Sequence, residues 1–258
     1  TGYDYMHFRY YGSNIGRFMK PDNVTGSPLN PQNWNLYSYV RGNPVGFNDP
    51  TGHWKEPWHE TVALIAGLDT GMKLDDAAQL AAGAGQGDEG ALSPTKAFLG
   101  DGGQDILSTQ HAFQYSGEGL AGASDRVMKN SMFMMNLLGQ GNYFAKGVLA
   151  IHPPQDLSTH GRYELNHLFQ GTSPDITSKN LSQAKQSLVN TEVAITGNAK
   201  VKPSEEAMSL IEGMAKYDIT VKWNAEANSI EFIAGDTGAD AMKVMIQVYD
   251  YIASKIGK

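Results

Sequence analysis

The sequence predicts a mainly α fold, with an N-terminal β-hairpin segment and a small C-terminal α/β extension. Three observations predict it. From about Glu56, apolar residues recur at helical spacing in successive runs. Before that point, aromatic residues alternate between Gly, Asn and Pro turns. Near the end, two short β-rich runs lie between two helix-spaced runs.

Residues 1–53 contain "YDYMHFRYY" and "NLYSYV", which read as strands and hairpins. So many aromatic side chains are hard to bury in an isolated sheet. The segment is therefore expected to pack on further strands or on the domain that follows. Next come "EPWHETVALIAGL", "LDDAAQLAAGAG", "GASDRVMKNSMFMMNLLG" and "NYFAKGVLAI", all expected as helices. The Gly-rich stretches "GAGQGDEG" and "GDGGQD" are expected as loops between them. The methionines of "MFMMNLL" are expected as core filler, since thioethers fit irregular interiors. Asp175 is expected to cap a helix. The chain then gives a helix in "SEEAMSLIEGMAKY", strands in "ITVKW" and "SIEFIAG", and a closing helix from Gly238 onward. The expected divisions are 1–53, 54–175 and 176–258.

The bulk numbers limit the chemistry. At 258 residues and 41% hydrophobic, the chain can bury a core. It contains no cysteine, so disulfides and thiolate metal sites are excluded. Any metal must be held by His, Asp, Glu or backbone oxygen, which suits zinc, manganese or iron. The net charge of −7 argues against a stable complex with nucleic acid, because phosphate backbones favour basic faces. No signal peptide and no membrane-spanning run is visible. The chain starts at Thr1 inside a patterned segment and reads as a piece of something longer.

The string "YDYMHFRYYGSNIGRFMKPDN", followed by "NLYSYVRGNPVGFNDPTG", resembles the end of the Rhs/YD-repeat core over residues 2–52. The resemblance implies a β-shell that encloses a variable C-terminal toxin, delivered into a target cell and matched by an immunity protein. It also implies self-cleavage by two aspartates, here Asp22 and Asp49, with the cut between His53 and Trp54. Two positions depart from the family pattern: Asn23 follows Asp22, and His53 follows Gly52. Read from the residues alone, Asp22 and Asp49 equally suit turns.

Six of the seven histidines lie after this match. "GVLAIHPPQDLSTH" places His152, Asp156 and His160 four residues apart. Positions i and i+4 share one helical face about 6 Å apart, a suitable bite for a metal. Pro153 and Pro154 lack backbone donors, so either a helix kinks there or a new helix starts with proline in its first turn. The strip, together with "HETVALIAGLDTGMKLDDAAQLAAGAGQGDE" upstream, resembles the all-helical zinc-dependent phospholipase C-like and HD-like hydrolases over residues 54–175. The resemblance implies His59, Asp88, His111, His152, Asp156 and His160 as ligands of two or three divalent ions, Zn2+ first among them. His167 is a candidate further ligand or general acid, and Glu164 a second-rank ligand.

Such a centre acidifies water and stabilises charge on a phosphoryl oxygen, which suits phosphodiester hydrolysis. Together with the two resemblances, which imply a toxin and a phospholipid substrate, the expected activity is a metal-dependent toxin hydrolase of phospholipid. A nuclease and a non-enzymatic binding module carried by an Rhs protein stand as alternatives.

Overall fold

The computed structural model describes residues 3–6, 9–12, 14–15, 17–19, 56–88, 103–164, 180–234 and 238–256. The expectations placed on Asp22, Asp49, His53, His167, Asp175 and "NLYSYV" lie outside them. The fold is mainly α, with a small antiparallel sheet near the C-terminus. No helix among the described residues is long and apolar enough to cross a membrane.

The N-terminal strands β1 (Tyr3–Met6), β2 (Arg9–Gly12) and β3 (Arg17–Phe18) form an antiparallel meander. β1 and β2 pair from Tyr3 opposite Gly12 to Met6 opposite Arg9.

The helical body is built around α1 (Glu56–Asp69). Trp58 through Leu68 are all buried, which is the mark of a helix surrounded on every side. α2 (Leu74–Gln86) packs along it, with Ala77 so close to Gly67 that an added Cβ would meet it at 2.9 Å. α2 ends at Gln86, one residue past the helical run expected for it. Gly83 and Gly85, which the expected helix and the expected loop both contained, belong to the helix. Their missing side chains permit close approaches: a Cβ at Gly83 would meet the Phe144 carbonyl oxygen at 2.0 Å.

α3 (Gly103–Gln110) replaces part of the other expected loop. α4 (Gly119–Leu137) follows, then α5 (Tyr143–Lys146), which continues through a π-helical turn at Gly147–Ile151. Of the three methionines expected as core filler in "MFMMNLL", Met135 packs on the core and Met132 and Met134 are half-buried, while Phe133 and Leu137 on the same helix are each 63% exposed.

α6 (His152–Leu157) starts directly after the π turn, with Pro153 and Pro154 in its first turn. Proline costs little there, because first-turn donors have no helical acceptor. The short helix can end inside the core because its last carbonyls find side-chain donors. Asn190 donates to the Pro154 carbonyl (2.9 Å), Ser158 to Gln155 (2.7 Å) and Thr159 to Asp156 (2.9 Å). A 3-10 turn, His160–Arg162, follows.

α7 (Leu181–Thr196), capped by Asn180, leads to α8 (Glu205–Lys216), capped by Ser204. β4 (Ile219–Asn224) and β5 (Ser229–Ala234) then pair antiparallel, and α9 (Ala239–Ile256) closes the chain. Residues on both sides of the expected division at 175/176 share one hydrophobic core. Trp58, Leu64 and Leu80 lie in it with Leu188, Ile211, Val221 and Val248. The Thr61 hydroxyl joins the two parts directly, donating to the Val221 carbonyl (2.8 Å) and accepting from its N–H (2.7 Å).

Candidate metal centre

Four segments bring the predicted ligands together. His59 projects from the first turns of α1, and Asp88 lies just past the end of α2. His111 follows α3, in the residue before Ala112, whose φ of +57° places it in the left-handed region. His152 and Asp156 sit one turn apart on α6, and His160 opens the 3-10 turn.

All six converge. His111 Nδ1 lies 2.9 Å from Asp156 Oδ2 and 3.6 Å from Asp88 Oδ1. His152 Nε2 lies 3.2 Å from Asp156 Oδ2 and 3.6 Å from Asp88 Oδ1. The two imidazole nitrogens are 3.3 Å apart. On the other side, His59 Nε2 lies 3.5 Å from both Asp88 Oδ2 and Asp156 Oδ1. His160 Nε2 lies 3.9 Å from Asp156 Oδ1.

Asp88, His111, His152 and Asp156 form a group that can hold a metal ion, with one donor atom of each within 4.8 Å of the others. The spacing fits. Donors on a tetrahedral ion with bonds of about 2.0–2.1 Å stand roughly 3.3 Å apart. The separations that involve His111 or His152, from 2.9 to 3.6 Å, bracket that value.

Hydrogen bonds behind the ring fix the direction of each lone pair. His59 Nδ1 donates to Gln155 Oε1 at 2.7 Å, and the Gln155 amide donates back to the His59 carbonyl at 3.2 Å. Burial and the charge of His152 hold His59 below its usual pKa, so its Nε2 faces the carboxylates as a neutral donor. His152 Nδ1 donates to the Ala84 carbonyl at 2.9 Å and leaves Nε2 for the site. Such partners behind metal-binding histidines set both tautomer and ring orientation.

Burial alone would lower His152, but Asp156 and Asp88 outweigh it and push its pKa up to about 9. Burial would raise Asp156. The charges of His152 and His160, with hydrogen bonds from His111 and His152, instead hold it well below the usual carboxylate range.

The surrounding scaffold is also ordered by side chains. Phe113 stacks on His160, ring centroids 4.8 Å apart. Gln114 donates to the Gly161 carbonyl (2.8 Å), tying the segment after His111 to the 3-10 turn. Arg126 on α4 clamps Glu118 with two bonds (2.7 and 2.8 Å) and also reaches the Ser108 and Phe113 carbonyls. Those bonds hold Glu118 below its usual pKa.

Asp88 is 22% exposed, while the other five side chains are at most 3% exposed. Access to the centre is therefore at the Asp88 rim. Glu164 sits outside the four-residue group, and its carboxylate accepts from the Gly117 N–H at 3.1 Å.

Two contributors escaped the sequence reading. Gln155 stood inside the quoted strip, directly before Asp156, but amides are weak ligands and drew no role. Gly87 stood in "GAGQG"; a Cβ there would meet the His152 ring at 2.2 Å, so the ring's position requires glycine.

No family model, curated protein or solved structure matches the chain.

Proposed function

We propose that this chain is a divalent-metal-dependent hydrolase of phosphodiesters, with a phospholipid as its first substrate class. One observation carries the reading. Asp156 turns Oδ2 toward His111 and His152 and Oδ1 toward His59 and His160. Asp88 likewise turns Oδ1 toward His111 and His152 and Oδ2 toward His59.

Two carboxylates that divide their oxygens in this way define two donor sets. The first is His111 Nδ1, His152 Nε2, Asp88 Oδ1 and Asp156 Oδ2. The second is His59 Nε2, His160 Nε2, Asp88 Oδ2 and Asp156 Oδ1. Histidine with carboxylate oxygen is a donor chemistry that suits zinc. Bound divalent ions would supply an acidified water and a Lewis acid for the phosphoryl oxygen.

The chain's own residues do the rest. Asp88 and Asp156 would neutralise only half the charge of two divalent ions held there, which would leave the centre attractive to a phosphodiester anion. Gln155 and the Ala84 carbonyl keep His59 and His152 aimed inward. The five buried side chains exclude bulk water, and the Asp88 rim admits substrate. His167 is retained as the candidate proton donor to the leaving group.

The resemblance of residues 2–52 to the Rhs core supports placing this activity at the effector end of an Rhs-family protein. The antiparallel strands within residues 3–18 accord with it. The remaining β-shell and an immunity protein are then the expected partners.

Elemental analysis of the purified chain, beside Asp156→Asn, tests the reading. About two equivalents of zinc, manganese or iron, lost in the variant, are expected. Phosphatidylcholine vesicles, RNA and DNA are then offered as substrates. Cleavage of nucleic acid alone would replace the lipid reading with a nuclease. No metal after reconstitution with each of these ions would overturn the hydrolase reading.

A further inference from the structure

A surface helix needs one apolar stripe, the one that faces its core. α9 carries two. Ala241, Val244, Val248, Tyr251 and Ile252 form the buried stripe. Roughly opposite lies a second stripe: Ala239, Met242, Ile246, Tyr249, Ala253 and Ile256. Its four large members are between 54% and 57% exposed, and both alanines are exposed as well. The intervals between them alternate three and four residues, the spacing of a helix–helix seam. A solvated face does not need that regularity.

We propose that α9 pairs with α9 of a second copy of this chain, antiparallel across a two-fold axis. Two features of the helix select this occupant. The first is shape. With the axis between Gln247 and Val248, Ala239 meets the partner's Ile256 and Met242 meets the partner's Ala253. Each outer layer thus sets a small side chain against a large one, and Ile246 packs on the partner's Tyr249 at the centre.

The second is charge. Lys243 and Asp250 lie seven residues apart along the outer flank of the stripe. With that axis, Lys243 comes within about two residues of register, roughly 3 Å along the helix, of the partner's Asp250 on the same side of the seam, twice per dimer. A parallel pairing instead places the two flanks on opposite sides of the seam and gives these charges no partner across it, so the flank favours the antiparallel direction. Lys243 pairs with Asp240 at 3.0 Å in the single chain, and both side chains are well exposed. A surface pair of that kind exchanges readily for one across an interface. The symmetry is closed, so the second copy uses up the stripe and assembly stops at the dimer. The inference is independent of the metal centre, since no residue of the stripe contributes to it.

Sedimentation velocity of the full chain, from about 1 to 100 µM, tests the proposal. The expected result is a concentration-dependent species of twice the chain mass. Ile246→Glu is expected to leave a monomer. Lys243→Glu is expected to raise the dimer dissociation constant roughly tenfold. Lys243→Glu combined with Asp250→Lys restores opposite charges across the axis and should return it to within about threefold of the parent. Circular dichroism and metal content report whether each variant is folded. The two charge variants alter only exposed positions and keep the test available if Ile246→Glu misfolds. A wild-type monomer over the whole range overturns the proposal, as does a dimer unaffected by Ile246→Glu. A double swap no better than the single one overturns the antiparallel direction.

Discussion

The two ends of α1 hold buried carboxyl groups in opposite electrostatic states. At its start, His59 joins a cluster in which Asp156 is held well below the ordinary carboxylate range. At its end, Asp69 faces Glu192 on α7, whose pKa is pushed up to about 8. Burial pushes both carboxyls upward. What differs is the neighbour. Asp156 sits among imidazoles, and their positive charge and hydrogen bonds reverse the effect of burial. Glu192 sits against another carboxyl, and the hydrogen bond and charge of Asp69 add to it. One end of the helix is thus arranged to gather cations, and the other is arranged to keep a proton.

Replacing the bridging acid should have the largest effect. Asp156→Asn keeps the shape but removes the charge that both donor sets share. Both ions are expected to be lost together, with hydrolysis, as read by elemental analysis and turnover. Loss of one ion alone would show that the two sets are independent, and the single-bridge logic would fail. Gln155→Leu should have a smaller effect. It leaves the ligand set whole but strips His59 of its partner. Removing a hydrogen-bond partner behind a ligand typically weakens metal binding roughly 10–100-fold. Competition against a chelator measures it, and an unchanged affinity would show that His59 is held by packing alone.

Much of this centre was legible in the sequence. All six expected ligands meet; for His152 and Asp156 the reason is local, because i and i+4 spacing on α6 survives folding. The two prolines were legible as a kink or a helix start; the preceding π turn was not, since no local residue preference announces it. His160 falls beyond the end of α6. Its 3.9 Å approach to Asp156 comes from a 3-10 turn and from Phe113, not from helical periodicity. The hairpin of β4 and β5 was legible as two β-rich runs. Its docking on α1 was not, because a single threonine, Thr61, makes both bonds to Val221 across 160 residues. The role of the α2 glycines was hidden for a related reason. Gly83 and Gly85 were legible within the expected helical run, but their close contacts with Phe144 and Glu60 are ones that only tertiary structure reveals.

The smallest expected effect lies at the other end of α1, and it is a pH dependence. Glu192 is nearly fully buried, while Asp69 accepts hydrogen bonds from the Ser204 N–H (2.8 Å) and hydroxyl at the cap of α8. The folded chain holds the Glu192 proton up to about pH 8, whereas the unfolded chain releases it near the ordinary glutamate value of about 4.5. Between those values the folded state binds the extra proton, so the contribution of Glu192 to stability is full below about pH 4.5 and is lost as pH rises toward 8. Glu192→Gln keeps a neutral partner beside Asp69 at every pH and should remove that slope. At pH 8.5 its Tm is expected to exceed the parent's by on the order of 5 °C, with little difference at pH 5. Thermal melts across that range measure it, with Asp156→Asn as the control in which the slope persists. If Glu192→Gln melts with the parent's pH dependence, the proton lies elsewhere, and the contrast between the two ends of α1 reduces to a difference in burial.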